Sequence, residues 1–154
     1  MPESYKIIDE PAPSAISRVA VNPVWIFLAS LFGGAGIGLL WFALNAFALS
    51  SASRMRELGL VCLGLLGTPL IFATLTGAMN VGWLGPSLVP YLHLVVTGFQ
   101  LFVIYLLHLS QHKSYELFSL YGGAGRSGLL VVVALAFLRP QLAEALGVWS
   151  AFIL

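Results

Sequence analysis

The chain has 154 residues, of which 59% are hydrophobic and 8% charged, and its formal net charge is +1. Soluble domains carry about 25% charged residues, so this composition argues against a soluble domain and favours a protein embedded in a lipid bilayer. The few basic residues are scattered, which is not the pattern of a nucleic-acid-binding surface.

Two long charge-free runs indicate the membrane-spanning segments. Residues 58–112 and residues 19–53 contain no Asp, Glu, Lys or Arg. Because one crossing uses about 20 residues, the longer run predicts two helices joined by a turn at 80–87, and the shorter run predicts one more helix. We therefore predict an all-α, polytopic integral membrane protein, with a four-helix transmembrane bundle over residues 22–154.

Residues 1–21 are predicted to form an extended N-terminal tail. Pro2, Pro11 and Pro13 interrupt this segment, and the residue before a proline favours extended backbone. The segment has no continuous apolar core before a small-residue cleavage site, so no secretory signal peptide is predicted.

The four spans are predicted at about 24–49, 58–79, 88–109 and 127–146. Asn22 and Pro23 are typical of a helix N-terminus and begin the first span. The second span follows Glu57, whose charge suits the positive end of a helix dipole, and Pro69 predicts a kink in its middle. The third helix is expected to continue beyond its span as far as Gly122, since no breaker intervenes.

The fourth span has two interpretations. Gly128–Leu138 is strongly apolar but gives only about 16 Å of helix, and Arg139 and Pro140 follow it. We prefer one crossing at about 127–146, followed by an apolar tail. The alternative is a re-entrant pair of half-helices, which membrane proteins tolerate where such helices are buried in protein.

The orientation follows from the Lys and Arg residues, which concentrate in cytoplasmic loops. In a four-span chain the first and third loops share one side, with Arg54, Arg56, Lys113 and Arg126. The other side has Lys6, Arg18 and Arg139. Four basic residues against three, with two clustered in a short loop, predict that the first and third loops are cytoplasmic.

Five residues are predicted to form helix-packing or partner-interface contacts. Ser30, Gly34 and Gly38 are spaced four apart, which puts small residues on one face of the first span and lets another backbone approach closely. This face would pack within the bundle or dock another subunit. Asn45 and Gln100 carry amides that are costly to leave unpaired in hydrocarbon, so each is expected to hydrogen-bond another helix or a partner.

His108, His112 and Glu116 are the clustered ligand-type residues, at four-residue spacing on one helix face. Adjacent members of this set could share a metal, but the outer two are about 12 Å apart along the helix, so one ion cannot bind all three. We interpret them as a polar face at the end of the third span. No catalytic residue, metal site or cofactor is predicted.

The sequence predicts a non-catalytic membrane subunit, or an assembly or scaffold protein, that acts through helix–helix contacts. Its expected partners are the lipid bilayer and another membrane protein or a second copy of the chain, with no nucleic acid. The alternative is a small transporter or channel, as a monomer or an oligomer, with a polar path formed by Asn45, Gln100, Thr97 and the Pro69 kink.

Overall fold

The computed structural model describes residues 15–147. This part of the chain is all-α, as predicted, with α1 (Pro23–Gly33), α2 (Ala35–Ala48), α3 (Arg54–Asn80), α4 (Val89–Leu120) and α5 (Leu129–Leu146). Two 3-10 helices occupy Ala15–Val19 and Pro86–Leu88. Most of the predicted tail and the apolar segment 148–154 lie outside the described residues.

Two of the helices are long and apolar enough to cross a membrane. They are α3, with 27 residues, and α4, with 32 residues, which correspond to about 40 and 48 Å. They contain the predicted spans 58–79 and 88–109, and α4 continues to Leu120, close to its expected end. With 11 and 14 residues, α1 and α2 are each too short to cross about 30 Å of hydrocarbon.

The predicted first span, 24–49, is not one continuous helix in the structure. Gly34 separates α1 from α2 with φ 110° and ψ 152°, a backbone region that is essentially restricted to glycine. The two helices fold back on each other, and the position of Gly38 demonstrates this reversal. A Cβ added to Gly38 would lie 2.6 Å from the Cβ of Ser30. Residues four positions before and after Gly34 therefore face each other across an antiparallel helical hairpin. Apolar composition is the same for a hairpin and for a crossing helix, which is why the sequence suggested the latter.

The α1–α2 hairpin packs against α3 and α4, with α5 beside α1. Its core side chains include Ile26, Leu39 and Phe42, which pack with Val103 and Leu107 of α4.

Helix α5 runs parallel to α1. A Cβ on Gly128, just before α5, would meet Trp25 near the start of α1, and a Cβ on Gly33, at the end of α1, would meet Leu135.

Two regions at opposite ends of the molecule differ in how their side chains are covered. One end, called the basic end, carries Arg18, Arg54, Arg56, Lys113 and Arg126. The segment before α1, the α2–α3 loop and the α4–α5 loop meet there, and Arg126 N donates to Ala20 O at 2.8 Å. At the other end, α3 and α4 project beyond their neighbours. In this distal hairpin, residues 69–95, the structure describes no side chain as buried.

Candidate functional site

A buried carboxylate lies at the basic end of the bundle. Glu57, in the first turn of α3, is 0% exposed. Its Oε1 accepts hydrogen bonds from the hydroxyls of Ser51 at 2.6 Å, Ser53 at 2.7 Å and Ser110 at 3.3 Å. Its Oε2 accepts from Nε2 of Gln111 at 2.9 Å. Each of these four partners is electrically neutral.

Gln111 and Asn45 connect this carboxylate by hydrogen bonds to the segment before α1. Gln111 Nε2 also donates to the Phe42 carbonyl at 2.7 Å, and its Oε1 accepts from Asn45 Nδ2 at 2.9 Å. The Asn45 amide pairs with the backbone of Val21: the Val21 N–H donates to Oδ1 at 2.9 Å, and Nδ2 donates to the Val21 carbonyl at 3.1 Å. This hydrogen-bond network thus joins α3, α4, α2 and the segment before α1.

The local sequence explains why these groups meet. The α2 helix ends at Ala48, and Ser50 has a positive φ of 49°, so the chain turns sharply into α3. This turn leaves the hydroxyls of Ser51 and Ser53 facing the carboxylate one helical turn later. A carboxylate in the first turn of a helix is also favoured by the helix dipole.

The structure brings one of the two predicted amides into this polar cluster but not the other. Asn45 is 2% exposed and lies inside the cluster. Gln100 is half-buried on α4, about 16 Å along the helix from Gln111. Thr97, which was expected to line the same polar path, is exposed.

The predicted small-residue face is covered by the chain's own helices. Ser30, Gly34 and Gly38 are all buried. The Ser30 hydroxyl donates to the Ile26 carbonyl at 2.8 Å, so it is satisfied within α1. These residues therefore form the contact between α1 and α2 rather than an outward-facing surface.

The predicted histidine face lies beside this cluster on α4. The rings of His108 and His112 stack with centroids 5.8 Å apart, and His112 Nε2 lies 3.4 Å from a carboxylate oxygen of Glu116. The Phe27 ring of α1 packs at 5.4 Å from the ring of His108. Among the described residues, no three His, Cys, Asp or Glu side chains are grouped to hold a metal ion.

The sequence interpretation did not identify Glu57, Gln111 or the serines as a site. Glu57 was assigned to a helix start, and Gln111 lies beyond the predicted end of the third span. One available signal was the concentration of serines where spans were predicted to end, at positions 51, 53, 110 and 114. Their convergence depends on the hairpin, which brings the end of α2 back to the basic end.

The chain matches none of the protein-family models, curated proteins or solved structures with which it was compared. Its function is therefore inferred from its own residues and their geometry. The cluster provides hydrogen bonding and one carboxylate in apolar surroundings, and the distal hairpin provides an uncovered apolar surface.

Proposed function

We propose that this chain is an integral membrane protein and a non-catalytic subunit or assembly factor, which docks through the distal hairpin to another membrane protein or to a second copy of itself. The observation that carries this proposal is the uneven covering of α3. Its buried residues, Glu57, Val61, Gly64 and Thr68, all lie between positions 57 and 68, and no described residue of the helix beyond Thr68 is buried.

The surface of the distal hairpin suits close helix packing. A Cβ on Gly77 of α3 would have nothing within 4 Å, and the same holds for Gly98 of α4, just beyond the hairpin. Small residues at such positions allow helix backbones to approach closely in a bilayer. Thr74 and Thr76 donate their hydroxyls to the carbonyls of Leu70 and Phe72, each at 2.8 Å, so they leave no donor unsatisfied in an apolar contact.

The distribution of basic residues supports a specific orientation. With the α1–α2 hairpin re-entrant, the segment before α1 and both loops at the basic end lie on one face of the membrane. The Lys and Arg residues there are Arg18, Arg54, Arg56, Lys113 and Arg126. The turn at 81–88 has none, so the positive-inside rule puts the basic end in the cytoplasm. The four-span count of four against three covered all seven Lys and Arg residues. For the segments named here the count is five against none, while Arg139 lies within α5 and Lys6 lies outside the described residues.

Single-cysteine labelling from each side of the membrane tests this topology. In a Cys62→Ala background, we expect Val19→Cys and Ala52→Cys to react from the cytoplasmic face, and Gly85→Cys to react from the other. The four-span bundle instead requires positions 19 and 52 to lie on opposite faces. That result would exclude the re-entrant hairpin.

Cysteine crosslinking in native membranes tests the docking. In the Cys62→Ala background, we expect Gly77→Cys to give one crosslinked product of defined mass, at twice the chain mass for a second copy. Gly59→Cys is the matched control, because Gly59 is also exposed on α3 with nothing within 4 Å of its Cβ but lies outside the distal hairpin. Equal or absent crosslinking at the two positions would contradict the proposal.

A small transporter or channel remains the alternative proposal, and it has less support from the geometry. The polar cluster around Glu57 lies at the basic end, and the expected path residues Gln100 and Thr97 lie apart from Asn45. Flux through liposomes that contain the purified chain alone, reduced by Gln100→Leu, would favour this alternative over the subunit proposal.

A further inference from the structure

The environment of Glu57 is unusual for a carboxylate. The side chain is completely buried, and its hydrogen-bond partners are three hydroxyls and one amide. Charged groups in protein interiors are normally paired with an opposite charge or coordinate a metal ion. The neutral partners satisfy the carboxylate's hydrogen bonds, but they supply no positive charge.

Five oxygen atoms form a contiguous group around this carboxylate. Besides Glu57 Oε1, they are the hydroxyl oxygens of Ser51, Ser53, Ser110 and Ser114. The hydroxyl of Ser51 lies 3.1 Å from that of Ser53 and 3.0 Å from that of Ser114, and those of Ser53 and Ser110 are 3.3 Å apart. Neighbouring oxygen ligands about 2.3 Å from a hard cation are separated by about 3.3 Å in octahedral geometry. The spacings between hydroxyl oxygens are close to that value, whereas the contacts of Glu57 Oε1 with Ser51 and Ser53, at 2.6 and 2.7 Å, are hydrogen bonds that a bound cation would replace.

The position of this group is also suited to a cation. It lies between the C-terminus of α2, where the helix dipole favours positive charge, and the N-terminus of α3, where the dipole favours the Glu57 carboxylate. Ends of interrupted helices, with nearby carbonyl groups, are a recurring location for sodium ions in membrane proteins. Ser53, Ser110 and Ser114 are partly exposed, so the group is reachable from the basic end without crossing the apolar core.

We propose that Glu57 and these four serines form a binding site for a small alkali-metal cation, with sodium as the best-fitting ion. A single carboxylate matches a single positive charge, and an all-oxygen ligand set suits hard cations. The ion would join the α2–α3 loop, the start of α3 and the second half of α4. This site is separate from the predicted docking surface, so its test is independent of the proposed function.

Cation-dependent unfolding of the purified full chain in detergent tests the site. Melting temperature is followed by tryptophan fluorescence in sodium chloride and in choline chloride at equal ionic strength. At sodium concentrations far above the dissociation constant, we expect the melting temperature to be higher by at least about 4 °C. Potassium in place of sodium should give a smaller rise.

Two variants assign the effect to this site. Glu57→Gln keeps the side-chain shape and should abolish the sodium-dependent rise. Ser114→Ala, which removes a hydroxyl in contact with Ser51 alone, should fold normally and need at least fivefold more sodium. Glu116→Gln is the control and should behave as wild type. Equal melting of the wild type in sodium and choline, a rise retained in Glu57→Gln, or a response to calcium alone would overturn the proposal.

Discussion

The substitution Asn45→Leu should strongly destabilise the fold, because the Asn45 amide makes three buried hydrogen bonds. Leucine has a similar size but removes all three bonds, to the N–H and the carbonyl of Val21 and to Oε1 of Gln111. Those three groups would then lack their partner in apolar surroundings.

The size of the effect follows from the number of groups left unpaired. Hydrogen bonds between membrane helices contribute on average about 0.6 kcal/mol each, and an unsatisfied buried group costs about 1–3 kcal/mol. Three groups therefore predict a loss of about 2–9 kcal/mol in the free energy of unfolding. Total stabilities are about 5–15 kcal/mol, so much of the protein should be unfolded under mild denaturing conditions.

Gln100→Leu is the matched control, since it removes the other predicted amide, for which the described residues provide no hydrogen-bond partner. We expect it to change the free energy of unfolding by less than about 0.5 kcal/mol. Denaturant titration in mixed micelles, followed by the fluorescence of the four tryptophans, measures both variants. Equal destabilisation by the two substitutions would refute the conclusion that Asn45 joins α2 to the segment before α1 through its hydrogen bonds.

Three other predictions follow from the hairpin and the histidine face. Gly38→Ala should destabilise the protein, because its Cβ would lie 2.6 Å from the Cβ of Ser30; Gly98→Ala, in open space within a helix, should be neutral or stabilise by up to about 1 kcal/mol. Gly34→Leu should reduce the yield of folded protein rather than association alone, since φ 110° strains any residue with a Cβ; normal folding would contradict the hairpin. Elemental analysis and an absorption spectrum of the purified chain should show no stoichiometric transition metal and no haem.

The two long helices were predictable because the signal for each is local. A run of apolar residues without charge, ended by a polar or glycine-rich turn, predicts a helix whatever lies around it. The spans at 58–79 and 88–109 fall within α3 and α4 for this reason. The extension of α4 to Leu120 was predictable in the same way, from the absence of a helix breaker before Gly122.

The candidate site was less predictable because its members are distant in sequence. Asn45 attracted attention as an amide in an apolar segment, and that argument applied equally to Gln100. Nothing in the sequence distinguishes the two, since the difference lies in whether Gln111 and Val21 come within hydrogen-bond distance. Glu57 was interpreted from its position at a helix start, which is correct, but its burial depends on α2 and α4.

The sequence by itself determined the helical class and the position of the two long helices, because hydrophobicity and helix formation depend on consecutive residues. The tertiary structure decided that the segment 24–49 folds back at Gly34, because a single backbone conformation determines whether two apolar helices are collinear or antiparallel. That reversal returns Asn45 to Val21 and puts Ser51 beside Glu57. The polar cluster and the concentration of basic residues at one end both depend on this one glycine.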